Sequence, residues 1–299
     1  MKYIHYNGQA LSKLALGTVQ LGLKYGLLNT AGKPSFKTSS DILNYVHHEG
    51  INTIDTAYNY GDAHQVLGKV FKNNKNIFLV TKLASEQFKN KLLITVSEIL
   101  INLQRKQLDG LLLHDSELLN MWNEEYSASV NMLKNKKFIR YFGVSVYSSV
   151  EFNLAIENQD IDIIQIPFNI FDQRAIYERW FEQAQKRGKL LFIRSIYLQG
   201  LLLADKNHLP LHLSGAKFYL EKLEDHAKLL NMSISQLALN FVESIAKESI
   251  ILFGCNSLET AKKSIENYKN TLDLDTTVLE SLAKEFRNID EQIYNPKKW

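Results

Sequence analysis

Eight short apolar runs separated by segments of helical periodicity, and a composition that does not shift along the chain, predict an α/β fold: one (β/α)8 TIM barrel domain over residues 1–299 with an N-terminal β-hairpin cap. The hairpin comes first, where Lys2 to Leu14 begins as alternating residues around Asn7-Gly8, a dipeptide whose tolerance of positive φ suits a tight turn. The apolar runs are Leu14 to Gly17, Thr53 to Asp55, Ile77 to Thr81, Gly110 to His114, Tyr141 to Val144, Ile161 to Ile166, Leu190 to Arg194 and Ile250 to Phe253. Helical spacing lies between them, for example over Asp41 to Glu49, Gln65 to Lys72, Leu92 to Leu103 and Tyr177 to Arg187. Strands as continuously apolar as Leu190-Leu191-Phe192-Ile193 read as buried on both faces, which an outer ring of helices provides. Eight such units over about 250 residues match a closed barrel, whereas doubly wound sheets usually use fewer strands. No G-x-G-x-x-G turn follows the first strand, which argues against a Rossmann fold.

Composition excludes several classes of function. With 45% hydrophobic and 22% charged residues the chain can bury one large core and is not of disordered type. The net charge of +3 is too small and too evenly spread for a nucleic-acid or acidic-membrane footprint, so neither partner is expected. Cys255, the lone cysteine, can form no internal disulfide and has no metal-spaced neighbour, which fits a reducing cytoplasm. Met1 to Leu14 lacks the apolar run of a signal peptide, and no stretch approaches the roughly 18 apolar residues of a membrane helix. No metal is expected: His47 and His48 cannot share one helix face, and His208 and His212 bracket Pro210. His64 reads as a surface variation, and no heptad or apolar stripe specifies an oligomeric state.

In a barrel the chemistry sits where strands end, so polar residues closing apolar runs are the ones to weigh. Asp55, Lys82 and His114 close the second, third and fourth runs, and Tyr60 follows the second. Singly, each has a structural reading: Asp55 as a loop cap, Lys82 as a solvated strand end, His114 as a hydrogen-bonded core histidine, Tyr60 as packing. Together they suit carbonyl reduction, which needs a proton donor near neutral pH and a group to orient the carbonyl oxygen. An ammonium at Lys82 would favour the Tyr60 phenolate and lower its pKa, Asp55 would hold that ammonium charged, and His114 would hydrogen-bond the oxygen. The hydride must come from a cofactor, since no side chain donates one.

The run Asp55-Thr56-Ala57-x-x-Tyr60-Gly61, followed by Leu67-Gly68, Lys82 and His114, resembles the aldo-keto reductase family. Further matches in order at Leu16-Gly17-Thr18, Gly143-Val144-Ser145, Gln165-Ile166-Pro167-Phe168-Asn169, Gln199-Gly200-Leu201-Leu202 and Gly254 extend the likeness from Leu14 to Ser264. The resemblance implies a nicotinamide-dependent enzyme that reduces an aldehyde or ketone to an alcohol, with Asp55, Tyr60, Lys82 and His114 as its catalytic set. It also implies a cofactor extended across the barrel mouth. Gly17, Thr18 and Asp55 would lie near the reactive end, and Ser145 and Gln165 on the nicotinamide amide. Arg194, Ser195, Leu198, Gln199 and Gly200 would follow the pyrophosphate, with Gly254 and Asn256 at the adenosine phosphate.

Three positions depart from the family pattern. Val146 stands where many members carry Asn, so Ser145 and Gln165 carry more of the amide. Arg194 replaces the usual aromatic that stacks on the nicotinamide; it can stack on a π system or reach a phosphate, or pair with a barrel-mouth carboxylate. Asn256 replaces an Arg that often grips the 2′-phosphate, with Lys262 and Lys263 on the next helix as substitutes; NADP(H) is favoured on family habit, with NAD(H) open. Tyr25, Asn59, Tyr147, Phe168 and Tyr197 are expected as substrate walls. The segment Phe192 to Gly200 resembles a bacterial subgroup associated with surface-carbohydrate pathways, which implies a sugar-derived carbonyl. The alternative function is a nicotinamide-binding regulatory or interaction protein with slow turnover; a nicotinamide-free barrel hydrolase or lyase would leave Tyr60, Lys82 and Asp55 without a purpose.

Overall fold

A computed structural model describes residues 1–72, 74 and 76–299. These residues form ten strands: β1 Tyr3–Tyr6, β2 Gln9–Ser12, β3 Leu14–Gly17, β4 Thr53–Asp55, β5 Phe78–Leu83, β6 Leu108–Leu113, β7 Ile139–Ser145, β8 Ile163–Pro167, β9 Leu190–Arg194 and β10 Ser249–Gly254. The last eight close a parallel barrel in sequence order, with β10 returning to pair with β3, and β1 and β2 form a separate antiparallel hairpin. The eight apolar runs are therefore the eight barrel strands. The hairpin turns at Asn7 and Gly8, both with positive φ (46° and 79°), as the dipeptide predicted.

Side-chain parity explains both cores. Along each strand alternate residues face opposite sides. One set, including Ala15, Phe78, Val80, Leu112, Ile163, Leu190, Phe192, Ile250 and Leu252, fills the barrel interior together with Ile4 and Leu11 of the hairpin. The hairpin thus closes the lower end of the barrel. The other set, such as Leu79, Leu111, Phe142, Val144, Ile164, Ile166 and Ile193, packs against the helices in the larger core.

The helices begin earlier than the sequence periodicity suggested. The first long one runs over Phe36–His48, where Ser35 accepts a cap bond from Thr38 N–H, and another runs over Ser85–Asn102 with a break at Lys91 (φ −140°). The helix expected over residues 177–187 is split into Arg174–Tyr177 and Trp180–Lys186 by Arg179, which sits in the left-handed region at φ 58°. Among the described residues no helix is long and apolar enough to cross a membrane.

Candidate active site

The interior parity carries straight into the upper mouth. Two residues beyond interior Val80, Leu112, Ile163 and Phe192 come Lys82, His114, Gln165 and Arg194. The same alternation that fills the barrel with aliphatic side chains therefore delivers four polar ones to its rim. Asp55 ends β4 beside them, in register with Val80 on β5 and Gly17 on β3.

Lys82 Nζ donates to both Asp55 oxygens, at 2.7 and 2.6 Å, and to the Thr56 carbonyl at 3.0 Å. Both side chains of the ion pair are almost fully buried. Burial draws the Lys82 pKa below its ordinary value, and attraction to Asp55 opposes it. Gln165 Nε2 adds a 2.8 Å bond to Asp55 Oδ1, and Thr18 Oγ1 donates to the Asp55 carbonyl at 3.1 Å.

Tyr60 and His114 stand edge to face with ring centroids 5.6 Å apart, and Lys82 Nζ lies 5.4 Å from the Tyr60 ring centroid. The structure thus brings together the four residues singled out for chemistry. One detail differs from the sequence reading: the Tyr60 pKa is raised rather than lowered. Burial is the main cause, Asp55 and Tyr147 push the same way, and Arg194 opposes. The three hydrogen bonds of Lys82 go to Asp55 and Thr56, so among the described residues none is spent on the phenol. Tyr60 accordingly holds its proton at neutral pH. His114 moves the other way, down to about 4, through burial first and then Lys82 and Arg194, so its imidazole is neutral.

These groups open into a groove of about 980 Å³ that runs from Tyr60 and His114, past Ser145, Gln165 and Arg194, to Asn256, Thr260 and Lys263. Gly17, Thr18, Ser195, Gln199, Gly200 and Gly254 also line it. Leu198 does not: its side chain is buried in the outer core. The loop after β3 bridges the groove, Leu27 N–H donating to the Gln199 carbonyl at 3.0 Å and Asn256 Nδ2 to Asn29 Oδ1 at 2.9 Å. Leu28 and Asn29, which line the groove, carried no sequence signal beyond a Gly26 that here has φ 97°.

Among the expected substrate walls, Tyr25, Asn59, Tyr147 and Tyr197 face the groove. Phe168 does not. It shares the outward parity of Ile164 and Ile166, is fully buried, and packs on Phe181 and Phe241 at 5.1 and 5.7 Å. Val146 likewise follows Phe142 and Val144 outward, and its carbonyl accepts from Arg194 Nη2 at 3.1 Å. The Arg194 guanidinium stacks on Tyr147, 3.8 Å from the ring centroid, and makes no ion pair with a carboxylate among the described residues. His64 is corrected as well. It is only 4% exposed, its Nε2 is 2.8 Å from Thr81 Oγ1, and it belongs to the interior rather than the surface. Among the described residues no cluster of three or more His, Cys, Asp or Glu could hold a metal ion.

The model of the aldo/keto reductase family matches residues 13–283. D-arabinose 1-dehydrogenase of Saccharomyces cerevisiae is 24% identical over 287 residues, covering 87% of this chain and 84% of that protein. Among solved structures, an aldo-keto reductase of Bacillus halodurans in its holo form superposes with a TM-score of 0.78 at 21% identity, each chain covered in full. An aldo/keto reductase of Klebsiella pneumoniae, solved with NADP and acetate, gives a TM-score of 0.74 at 19% identity and 95% coverage of both chains. At these identities the superpositions establish the fold.

Proposed function

The chain belongs to the aldo/keto reductase family, and on that premise we propose that it reduces a small aldehyde or ketone with NADPH, using Tyr60 as the proton donor. The observation that carries this reading is the buried Lys82–Asp55 pair beneath a protonated Tyr60 and a neutral His114.

The residues at the groove fit a nicotinamide. Gln165 spends its Nε2 on Asp55, which leaves its Oε1 as an acceptor at the groove wall, while the Ser145 hydroxyl supplies a donor; together they complement a primary carboxamide. Two buried polar atoms in the groove, Arg194 Nε and Asn29 Nδ2, have no partner among the described residues. Gly200, at φ 103°, exposes backbone of the kind that approaches phosphate closely. Lys263 and Thr260 line the far end, where a 2′-phosphate would lie, although Glu259 beside them opposes it. The complex of the Klebsiella protein with NADP supports the phosphorylated cofactor.

Bound there, the reduced nicotinamide supplies the hydride. Each protein group then has a defined task. Neutral His114 orients the carbonyl oxygen by a hydrogen bond without competing to protonate it. As negative charge grows on that oxygen, Tyr60 gives up its phenolic proton. The Lys82 ammonium stabilises the phenolate left behind, and Asp55 with the Thr56 carbonyl holds the ammonium in place. The relationship to a D-arabinose dehydrogenase supports a sugar-derived carbonyl.

The test is Tyr60→Phe. NADPH titration by quenching of intrinsic fluorescence is expected to give wild-type affinity, while carbonyl reduction falls by at least about a hundredfold. Wild-type turnover by this variant would remove Tyr60 from the role of proton donor.

A further inference from the structure

At the rim of the groove two cations converge on one ring. Arg194, from the end of β9, and Lys297, from the C-terminal segment, each place their charge 3.8 Å from the centroid of Tyr147. Among the described residues neither is ion-paired with a carboxylate. The carboxylates nearby are already engaged. Asp55 holds Lys82, Asp172 holds Arg174 through two bonds of 2.8 and 2.6 Å, Asp115 accepts from Ser85 N–H at 3.0 Å, and Glu291 holds Lys298 at 2.6 Å. Glu151 is turned back to the Tyr147 and Ser148 amides.

Lys297 is placed there by construction. Arg174 lies over the Tyr294 ring, 4.9 Å from its centroid, and also donates to the Tyr147 carbonyl at 2.6 Å, so it ties the C-terminal segment to the loop that carries Tyr147. Asn295 then caps the turn over Pro296–Lys298 by accepting from Lys297 N–H at 3.1 Å. The fields of both cations reach the reacting end, since Arg194 and Lys297 each oppose protonation of His114.

We propose that Arg194 and Lys297, both placed against Tyr147, form a subsite for an acid group on the substrate, so that this chain prefers carbonyl compounds bearing a carboxylate or phosphate. This inference rests on the reductase reading above and names the substrate class of that site. A guanidinium recognises either group by paired hydrogen bonds, and Arg194 Nη1 makes only a long 3.5 Å contact, to Ser195 Oγ. Lys297 is exposed, so it adds a screened point charge.

The experiment compares matched pairs with NADPH: glucuronate against glucose, and glyceraldehyde phosphate against glyceraldehyde. The wild type is expected to favour at least one acidic member by about tenfold in kcat/KM, and the larger preference identifies carboxylate or phosphate. Lys297→Gln is expected to shrink that preference about threefold, through KM, and Lys297→Arg to restore it. Turnover of the neutral members without any preference, or a preference that Lys297→Gln leaves intact, overturns the subsite and leaves the reductase reading standing. If no member is turned over, the reductase reading falls, and titration calorimetry of the cofactor-free protein with gulonate and with sorbitol decides the subsite. Gulonate binding that weakens in Lys297→Gln supports it; equal binding of the two, or none, overturns it.

Discussion

His64 shows how one side chain can read as surface in the sequence and prove to be interior. It follows the Tyr60-Gly61 turn at the start of the helix Ala63–Phe71, and nothing in the local pattern reveals that this end of the helix is pressed against Thr81 of β5. Burial, with a smaller push from Lys82, lowers its pKa to about 4 from the ordinary 6.5. Between those values the unfolded chain takes up a proton that the folded chain refuses. Stability contributed by neutral His64 is therefore complete above pH 6.5, declines as pH falls toward 4, and amounts to about 3 kcal/mol. His64→Gln keeps a hydrogen-bonding group near Thr81 but cannot titrate, so its melting temperature is expected to drop less than that of the wild type between pH 7 and pH 4.5. Parallel declines in the two proteins would contradict the burial of this imidazole. Phe168 and Val146 carry the opposite lesson. Their outward direction was legible, because each lies an even number of residues from strand positions that pack against helices, yet Phe168 was expected as a substrate wall and Val146 was weighed only as a missing ligand.

At the scale of elements, the turn that presents Tyr60 is held by a close backbone approach. A Cβ on Gly22 would lie 1.8 Å from the Tyr60 carbonyl oxygen, so the short helix Val19–Gly22 can support that turn only with glycine there. Gly22→Ala is expected to cost about 1–3 kcal/mol and to lower kcat more than it raises KM, since it shifts the proton donor itself. Melting curves together with steady-state kinetics check this; full turnover with reduced stability would mean that the turn does not position Tyr60. Gly68 has a comparable role, its Cβ falling 2.1 Å from the Asn102 carbonyl, so the Leu67-Gly68 part of the family pattern concerns the packing of two helices rather than chemistry. The strands were readable because burial on both faces makes them continuously apolar. The C-terminal segment was not, because Arg174, Tyr147 and Tyr294 come together only in the folded chain.

Over the whole molecule, stability and chemistry occupy opposite ends of the barrel. Ile4 and Leu11 complete the interior at the lower end, whereas Lys82, His114, Gln165 and Arg194 continue the same interior rows at the upper end. Leu11→Ala is expected to destabilise the protein by about 2–5 kcal/mol, measured by denaturant unfolding, while KM for cofactor and carbonyl stays within about twofold of wild type. A large change in KM would show that the hairpin communicates with the mouth. Alternation of apolar runs made the barrel legible because the rule is local and repeated eight times. The roof over the groove was not, since it depends on backbone contacts between the β3 and β9 loops, more than 150 residues apart.

That roof has a kinetic meaning. The hydrogen bonds between Leu27 and Gln199 and between Asn256 and Asn29 tie the loop after β3 to two other segments that line the groove, so a dinucleotide lying along it would be held until those bonds part. Such a ligand would be loaded and released no faster than that loop moves, on the microsecond-to-millisecond scale or slower. Turnover at saturation would then be paced by the departure of the spent nucleotide, and the barrel would work as a slowly reloaded tool rather than as a meeting place of equals.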